Sequence, residues 1–320
     1  MKNKRMFVCT GNANPGLTKG ICDYLDLPLG NAAVGRFPDG EISVKVNQDV
    51  RGADAFVVQA TCPPVNDNLM ELLILIDCLR RASADRVTAV LPYYGYARKD
   101  RKDEGRVPIT AKLVANLIVQ AGADRVVAVD LHATQIQGFF DVPVDHLYAE
   151  PILARHYRQR KLDDLVVVSP DVGSIKLARA YASHLHAGLA VVDKRRVSPD
   201  QTESDFFIGD VQDKNVLMVD DMIATGGSVA EAARLLKEEG AKSCHVTATH
   251  AVFCGPAFER LAAAPIDEIT VTDTIPLNDE GAALPITVVS VASLLAEAIK
   301  RIHLDESVSS LFQFHDASES

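Results

Sequence analysis

The sequence predicts an α/β protein of two similar phosphate-handling domains, each a mainly parallel sheet flanked by helices. Three observations predict it. Apolar runs such as Val87 to Leu91 and Val216 to Val219 have no polar break, as strands buried on both faces require. Helical segments alternate with these runs in βα order. The segment Gly122-Ala-Asp-Arg-Val-Val-Ala-Val-Asp-Leu-His132-Ala lines up with Gly240-Ala-Lys-Ser-Cys-His-Val-Thr-Ala-Thr-His250-Ala, which suggests a duplication. Each copy follows an apolar helix and places a His at an expected strand end. A length of 320 residues suits two domains.

In the first half, strands are expected at Met6 to Thr10, Ile42 to Val46, Ala55 to Gln59, Val87 to Leu91 and Val126 to Leu131. Ile42, Val44 and Val46 alternate with polar residues, the pattern of a half-buried strand. Helices are expected at Asn66 to Arg81 and at Ile109 to Gln120, the second stopped by Gly122. Gly11-Asn-Ala-Asn-Pro-Gly16-Leu17-Thr18 comes close to a phosphate-binding P-loop. Leu17 stands where that loop needs a lysine, so any nucleotide must bind elsewhere. Tyr93 to Arg106 carries five cations, three tyrosines and two glycines after a strand's carboxyl end. That composition predicts a mobile lid over an anionic substrate at 94–106, against the plainer reading of a solvated loop.

The second half repeats the rhythm. Strands are expected at Leu165 to Val168, Leu189 to Val192, Phe206 to Val211, Val216 to Val219, Val246 to Thr249, and near Ile269 and Val288. A helix runs to His186, a short one lies near Phe258, and the last spans 292–303. Within Val216-Leu-Met-Val-Asp-Asp-Met-Ile-Ala-Thr-Gly-Gly-Ser228, two carboxylates follow the strand and a small-residue turn leads into a helix. Ser228 with Glu231 fits a capping box, and Gly240 fits the stop. Backbone N–H groups and a positive helix end would then meet a phosphate, while Asp220 and Asp221 accept from sugar hydroxyls.

Net charge is −10 and spread along the chain, which disfavours nucleic acid as a partner. The six cysteines show neither a CxxC pair nor zinc spacing, as expected in a reducing compartment. Met1-Lys-Asn-Lys-Arg leads straight into a strand without a signal peptide. The most apolar helix, near Leu69 to Leu79, holds Glu71 and Asp77 and is too short to span a bilayer. A cytoplasmic enzyme without membrane association is expected.

The segment 216–228 resembles the phosphoribosyl-pyrophosphate binding motif of the phosphoribosyltransferase fold. Phe37-Pro-Asp-Gly-Glu41, Pro92-Tyr-Tyr-Gly-Tyr-Ala-Arg-Lys-Asp-Arg-Lys102, Asp130-Leu-His-Ala-Thr-Gln-Ile-Gln-Gly-Phe-Phe140, Ser169-Pro-Asp-Val-Gly173 and Asp193-Lys-Arg-Arg196 precede it in order. Together they resemble the ribose-phosphate pyrophosphokinase family over roughly Met6 to Phe312. The resemblance implies phosphoribosyltransferase-type domains: an ATP-contacting domain at 1–148 and a ribose 5-phosphate domain at 149–314. The helix 292–303 would be free to pack on the first, and the tail 315–320 would be disordered.

It implies transfer of the pyrophosphoryl group of ATP to the 1-hydroxyl of D-ribose 5-phosphate, with AMP as the other product. Phe37, Asp39, Gly40 and Glu41 would hold the adenine, often across a subunit boundary, and Arg98 and Lys99 would reach the nucleotide. His132 and Asp171 would position Mg²⁺, present in MgATP and at a second site. Lys194 and Arg196 would stabilise the transferring group. Arg196, Asp220, Asp221, Ala224, Thr225, Gly226, Gly227 and Ser228 would bind ribose 5-phosphate. Self-association as a hexamer built from dimers is also implied.

The chemistry suits these residue types independently, since phosphoryl transfer needs cations and N–H donors more than a covalent nucleophile. By charge pattern alone, Lys194 and Arg196 are as well read as solvated cations, and His132 as a satisfied strand-end histidine. Three positions depart from the family: Ala224 replaces an Asp, Lys99 a Gln and Ser174 a Gly. A regulatory anion site would use Arg51, Ser83, Ser307, Ser309 and Phe312. Asp49 stands there in place of a serine hydroxyl, which predicts weak phosphate activation, by repulsion or by pairing with Arg51. The competing expectations are a phosphoribosyltransferase and a non-catalytic regulatory homologue.

Overall fold

A computed structural model describes residues 4–195, 204–278 and 284–312. They divide into two compact units. One runs to Tyr148 and takes in Thr274–Pro276 and the segment from Ser290; the other holds Ala149–Asp273 and Leu277–Val289. The second domain is therefore not the continuous segment 149–314 of the sequence reading. The tail 315–320 lies outside the described residues.

The first unit contains β1 (Met6–Thr10), α1 (Pro15–Leu25), β2 (Ala32–Arg36), β3 (Ile42–Val46), β4 (Asp54–Val58), α2 (Val65–Arg81), β5 (Arg86–Leu91), α3 (Thr110–Ala121), β6 (Arg125–Val129) and β7 (Val144–Leu147). Its parallel sheet has the order β1-β4-β5-β6-β7. β2 and β3 form a separate antiparallel hairpin. Leu72, Ile76 and Leu79 of α2, with Val114 and Ile118 of α3, bury an apolar stripe in the core that holds Val57, Val87 and Val126. That cover is why these strands read as unbroken apolar runs.

The second unit contains α4 (Glu150–Arg160), β8 (Leu165–Ser169), α5 (Ile175–Leu185), β9 (Gly188–Arg195), β10 (Ser204–Ile208), β11 (Asn215–Ile223), α6 (Gly227–Glu238), β12 (Ser243–Ala251), α7 (Ala257–Ala262), β13 (Glu268–Thr272) and β14 (Ile286–Val289). Its sheet order is β10-β9-β8-β11-β12-β13-β14, parallel except for the β9–β10 pair. The four-strand run β4-β5-β6-β7 has its counterpart in β8-β11-β12-β13.

The last helix, α8 (Ala292–His303), belongs to the first unit and packs on α1. A buried carboxylate fixes its end. Asp54 takes Nε of Arg86 at 2.7 Å and Nδ1 of His303 at 2.8 Å. The same guanidinium donates to the Ile302 carbonyl at 2.8 Å. Charge-assisted bonds satisfy Asp54, which would otherwise be costly to bury.

Several boundaries differ from the sequence reading. β11 does not stop at Val219 but runs through Asp220 and Asp221 to Ile223, because β12 pairs with it that far. The helix expected at Ser228 starts a residue earlier. Gly226, at φ +71°, is its N-cap, and Ser228 makes no capping box. Position 226 needs glycine on two counts: the left-handed backbone, and a Cβ that would meet the Ala257 carbonyl at 3.3 Å. β9 carries the segment 193–195 instead of ending before it. β10 lies at 204–208 where 206–211 was expected. β6 stops at Val129, short of Leu131.

Candidate active site

In the second unit, β11 delivers Asp220 and Asp221, both half-buried. Asp220 Oδ1 accepts the N–H of Asp221 at 2.9 Å and the hydroxyl of Ser174 at 2.9 Å. Burial, and then the neighbouring Asp221 carboxylate, raise the Asp220 pKa to about 7; the Ser174 bond pulls the other way. Thr225, Gly226 and Gly227 follow, and the first-turn N–H groups of α6 have no intrahelical acceptor. Such free donors form a cradle able to take a phosphate, with two carboxylates earlier on β11. The Ala224 carbonyl accepts from the Cys254 N–H at 2.9 Å, but its side chain offers the cradle no acceptor.

Two neighbours of this cradle escaped the sequence reading. The guanidinium of Arg260, on α7, donates to the Thr225 carbonyl at 3.3 Å. Nothing in the local sequence ties position 260 to the turn; only the packing of α6 on α7 does. Ser174 was visible only as a departure from a family glycine. It caps α5, next to the exposed Asp171, whose Oδ1 accepts the Ser174 N–H at 2.9 Å. Lys194 lies on β9, its side chain outside the described residues, and Arg196 is outside them altogether.

In the first unit, the β2–β3 hairpin ends in the turn 37–41. Phe37 N–H donates to the Glu41 carbonyl at 2.8 Å, and Glu41 N–H to Asp39 Oδ1 at 3.1 Å. Gly40 completes the turn at φ +95°. Phe37, Asp39 and Glu41 are all exposed. The Phe37 ring is 52% exposed beside two carboxylates, so it is not a core plug.

Residues 93 to 97 are built into the first unit. Tyr93, Tyr94 and Ala97 are buried, and the Tyr94 hydroxyl donates to the Ala111 carbonyl at 2.7 Å. Gly95 approaches Thr61 so closely that a Cβ there would meet its carbonyl at 2.4 Å. Of the stretch 94–106 expected as a lid, Tyr94, Gly95 and Ala97 are buried in the first unit, Tyr96 and Arg98 are exposed, Lys99 and Asp100 are half-buried, and 101–106 are exposed. Arg98, Arg101, Asp100, Asp103, His132 and Gln135 line an open cleft of about 260 Å³. Lys99 is tied to Asp103 at 2.9 Å, and Gln135 donates to Asp100 at 2.6 Å. His132 is exposed in this cleft, just past the end of β6. Two cations, two carboxylates and an imidazole thus surround the open space.

The near-P-loop after β1 has an internal occupant. Glu71, 4% exposed, accepts the Asn12 N–H at 2.9 Å, the Asn12 side-chain amide at 2.8 Å and the Gln59 amide at 3.0 Å. A carboxylate of the chain thus takes the loop donors that a phosphate would need.

Of the expected regulatory residues of the first unit, Asp49 and Arg51 share the β3–β4 loop and Ser83 meets it from the turn after α2. Asp49 Oδ1 accepts the Arg51 backbone N–H at 3.0 Å, and the Arg51 guanidinium donates to Ser83 Oγ at 3.4 Å. Asp49 therefore meets Arg51 through the main chain and does not neutralise its side chain. Ser307 Oγ accepts the Ser309 N–H at 3.2 Å, and the Phe312 side chain lies outside the described residues.

An acid pair in a strand, a glycine-capped helix behind it and two repeated parallel sheets define a phosphoribosyltransferase-type α/β protein. Residues 6–122 match the N-terminal domain of ribose phosphate pyrophosphokinase, and 199–313 match the phosphoribosyl synthetase-associated domain. A ribose-phosphate pyrophosphokinase of Rhodopirellula baltica is 58% identical over 313 residues, 97% of this chain and 99% of its own. One from Clostridium tetani is 51% identical over 314 residues, 97% of this chain and 98% of its own. The crystal structure of phosphoribosylpyrophosphate synthetase from Mycobacterium smegmatis superposes with a TM-score of 0.90 at 44% identity, covering 94% of this chain and 100% of that one. The chain belongs to the ribose-phosphate pyrophosphokinase family. It is a transferase of nucleotide biosynthesis, and its activity is that of a ribose-phosphate diphosphokinase.

Proposed function

We propose that the Asp220–Ser228 segment binds ribose 5-phosphate and that the exposed groups of the first unit, at 37–41 and 98–99, hold ATP. The observation that carries this reading is the half-buried acid pair inside β11, ahead of a glycine-capped helix. The 5-phosphate takes the N–H groups at the start of α6, and the ring hydroxyls donate to Asp220 and Asp221. That anchoring leaves the 1-hydroxyl to attack the β-phosphorus of ATP. The O–P bond to the new ester forms, the bond to the α-phosphate bridging oxygen breaks, and AMP leaves with that electron pair. Lys194 and Arg196 neutralise charge on the transferring group, since cations aimed at phosphoryl oxygens act mostly in the transition state.

Among the described residues no group of three His, Cys, Asp or Glu could hold a metal ion. Magnesium takes one or two protein groups and completes its shell with waters and substrate phosphates. Asp171 in the second unit and His132 in the first would each offer one such group. When bound, the ion would supply Lewis-acid stabilisation of charge on the phosphate oxygens.

The exposed Phe37 at the hairpin tip also supports a role in a neighbouring subunit's nucleotide site, and with it a hexamer built from dimers. All six cysteines carry free thiols, in keeping with the cytoplasm. No helix among the described residues is long and apolar enough to cross a membrane. Asp49 Oδ1 accepts the Arg51 main-chain N–H, so an acid stands where a phosphate would need a donor, which supports weak phosphate activation.

The test is ATP labelled at the β-phosphorus. Label should appear in the sugar product and none in AMP. Release of labelled ADP would mark a simple kinase and overturn the reading.

A further inference from the structure

Ser174 stands at the N-cap of α5, yet its hydroxyl makes no bond to that helix. It donates instead to Asp220 Oδ1 at 2.9 Å, across from the β8–α5 loop to β11. Its backbone N–H donates to Asp171 Oδ1 at 2.9 Å. One residue thus touches both the acid read as metal-bound and the acid read as sugar-bound. Asp220 Oδ1 takes a second donor, the Asp221 N–H. Two donors on one oxygen restrict rotation of the carboxylate about its last torsion, which is otherwise broad.

The demand for that restriction is visible in the same segment. Ala224 contributes no side-chain acceptor, so recognition of the sugar hydroxyls falls on Asp220 and Asp221. A carboxylate held in one plane loses less freedom when it accepts a hydroxyl. A glycine at 174 would keep the backbone bond to Asp171 and lose only the hydroxyl bond to Asp220.

We infer that Ser174 is a positioning residue for ribose 5-phosphate, its hydroxyl setting the orientation in which Asp220 receives the sugar. This rests on the reading of Asp220–Ser228 as the ribose 5-phosphate site. The Asp171 contact runs through the main chain, so side-chain substitutions isolate the Asp220 contact.

The experiment compares the full-length wild type with Ser174→Ala and Ser174→Thr, by initial-rate AMP release and by calorimetric titration with ribose 5-phosphate. Ser174→Ala should raise KM and Kd for ribose 5-phosphate about tenfold, the scale of one hydrogen bond to a charged group. KM for MgATP should stay within about twofold, and Ser174→Thr should recover most of the loss because it keeps the hydroxyl. No capping bond is removed, so any fall in the thermal midpoint should reflect only the lost Asp220 bond and be reversed in Ser174→Thr. An Ala variant with unchanged ribose 5-phosphate affinity, or one losing both substrates equally, would overturn the role of Ser174. If the wild type itself releases no AMP from the two substrates, the site reading falls as well.

Discussion

The duplicated segments end in the same residue and use it differently. His132 is exposed in a cleft beside Arg98, whereas His250 is 1% exposed inside β12. The cause lies in the neighbouring strand. In the second unit β11 continues, pairing Met222 with His250 and Ile223 with Ala251. In the first, the pairing of β5 with β6 ends at Leu91–Ala128, and Pro92 follows with no N–H to extend it. β6 then lets go, and His132 is released into a loop. Aligning the two pairings sets Leu91 against Met218, and so Tyr93-Tyr94 against Asp220-Asp221. One copy keeps an acid pair that can hold a sugar. The other has two buried tyrosines that anchor the root of a cationic loop.

The largest effect that could break this comparison is on the acid pair. Asp221→Ala should lower kcat/KM for ribose 5-phosphate by at least about a hundredfold, the scale of a lost charge-assisted contact at a reacting substrate. Its thermal midpoint should barely fall, because the residue is only half-buried. A kinetic profile within about threefold of wild type would remove the acid pair from the site.

The two histidines come next. His132→Ala should reduce kcat by about thirtyfold at unchanged stability, as expected of a group facing phosphates. His250→Ala should do the reverse. It opens a cavity in a buried strand and costs about 2–3 kcal/mol of stability, with near-normal kcat per folded molecule. Equal behaviour of the two variants, by denaturant melts and AMP release, would refute the divergence of the copies.

The sequence announces the sheet because buried parallel strands need unbroken apolar residues, and Val87 to Leu91 or Val216 to Val219 supply them. It does not announce β2, whose Ala-Ala-Val-Gly-Arg has one large apolar side chain and an exposed face. It is equally silent on α4, where three arginines and a histidine break up the apolar positions. α1 was obscured because its Asn14-Pro15-Gly16 start reads as a phosphate loop; Asn14 in fact caps the helix, accepting the Leu17 N–H at 3.2 Å. Within the site, the acid pair and glycine turn were legible as a local string. Ser174 and Arg260 were not, since each reaches the cradle from another element. The extent of β11 was missed because two acids normally end a strand; here pairing with β12 overrides that preference.

A smaller effect probes the tyrosine copy. Tyr94→Phe removes the hydroxyl bond to Ala111 at the start of α3 and should cost about 1 kcal/mol. Proteolysis between Arg98 and Arg106 should quicken, and MgATP should still slow it. Cleavage that ignores nucleotide in wild type and variant alike would separate this loop from ATP.

The smallest effect concerns pH and again sets the two pairs against each other. The Asp220 pKa is raised on folding from 3.8 to about 7, by burial and then by Asp221. The folded chain therefore holds this proton more tightly than the unfolded chain. Whatever stability that adds is complete below 3.8 and is lost as pH climbs through about 7. The tyrosine copy has no such liability: burial pushes the Tyr94 hydroxyl further above its usual value, away from neutral pH. Between pH 5 and pH 8 the thermal midpoint of the second unit should fall, and Asp220→Asn should remove that part of the fall. Because Asp220 is partly open to solvent, the difference should be on the order of 2 °C. Scanning calorimetry of both proteins at matched ionic strength measures it. Identical slopes in wild type and variant would mean that the acid pair ionises without cost to the fold, and the strand position of Asp220 would then carry no strain.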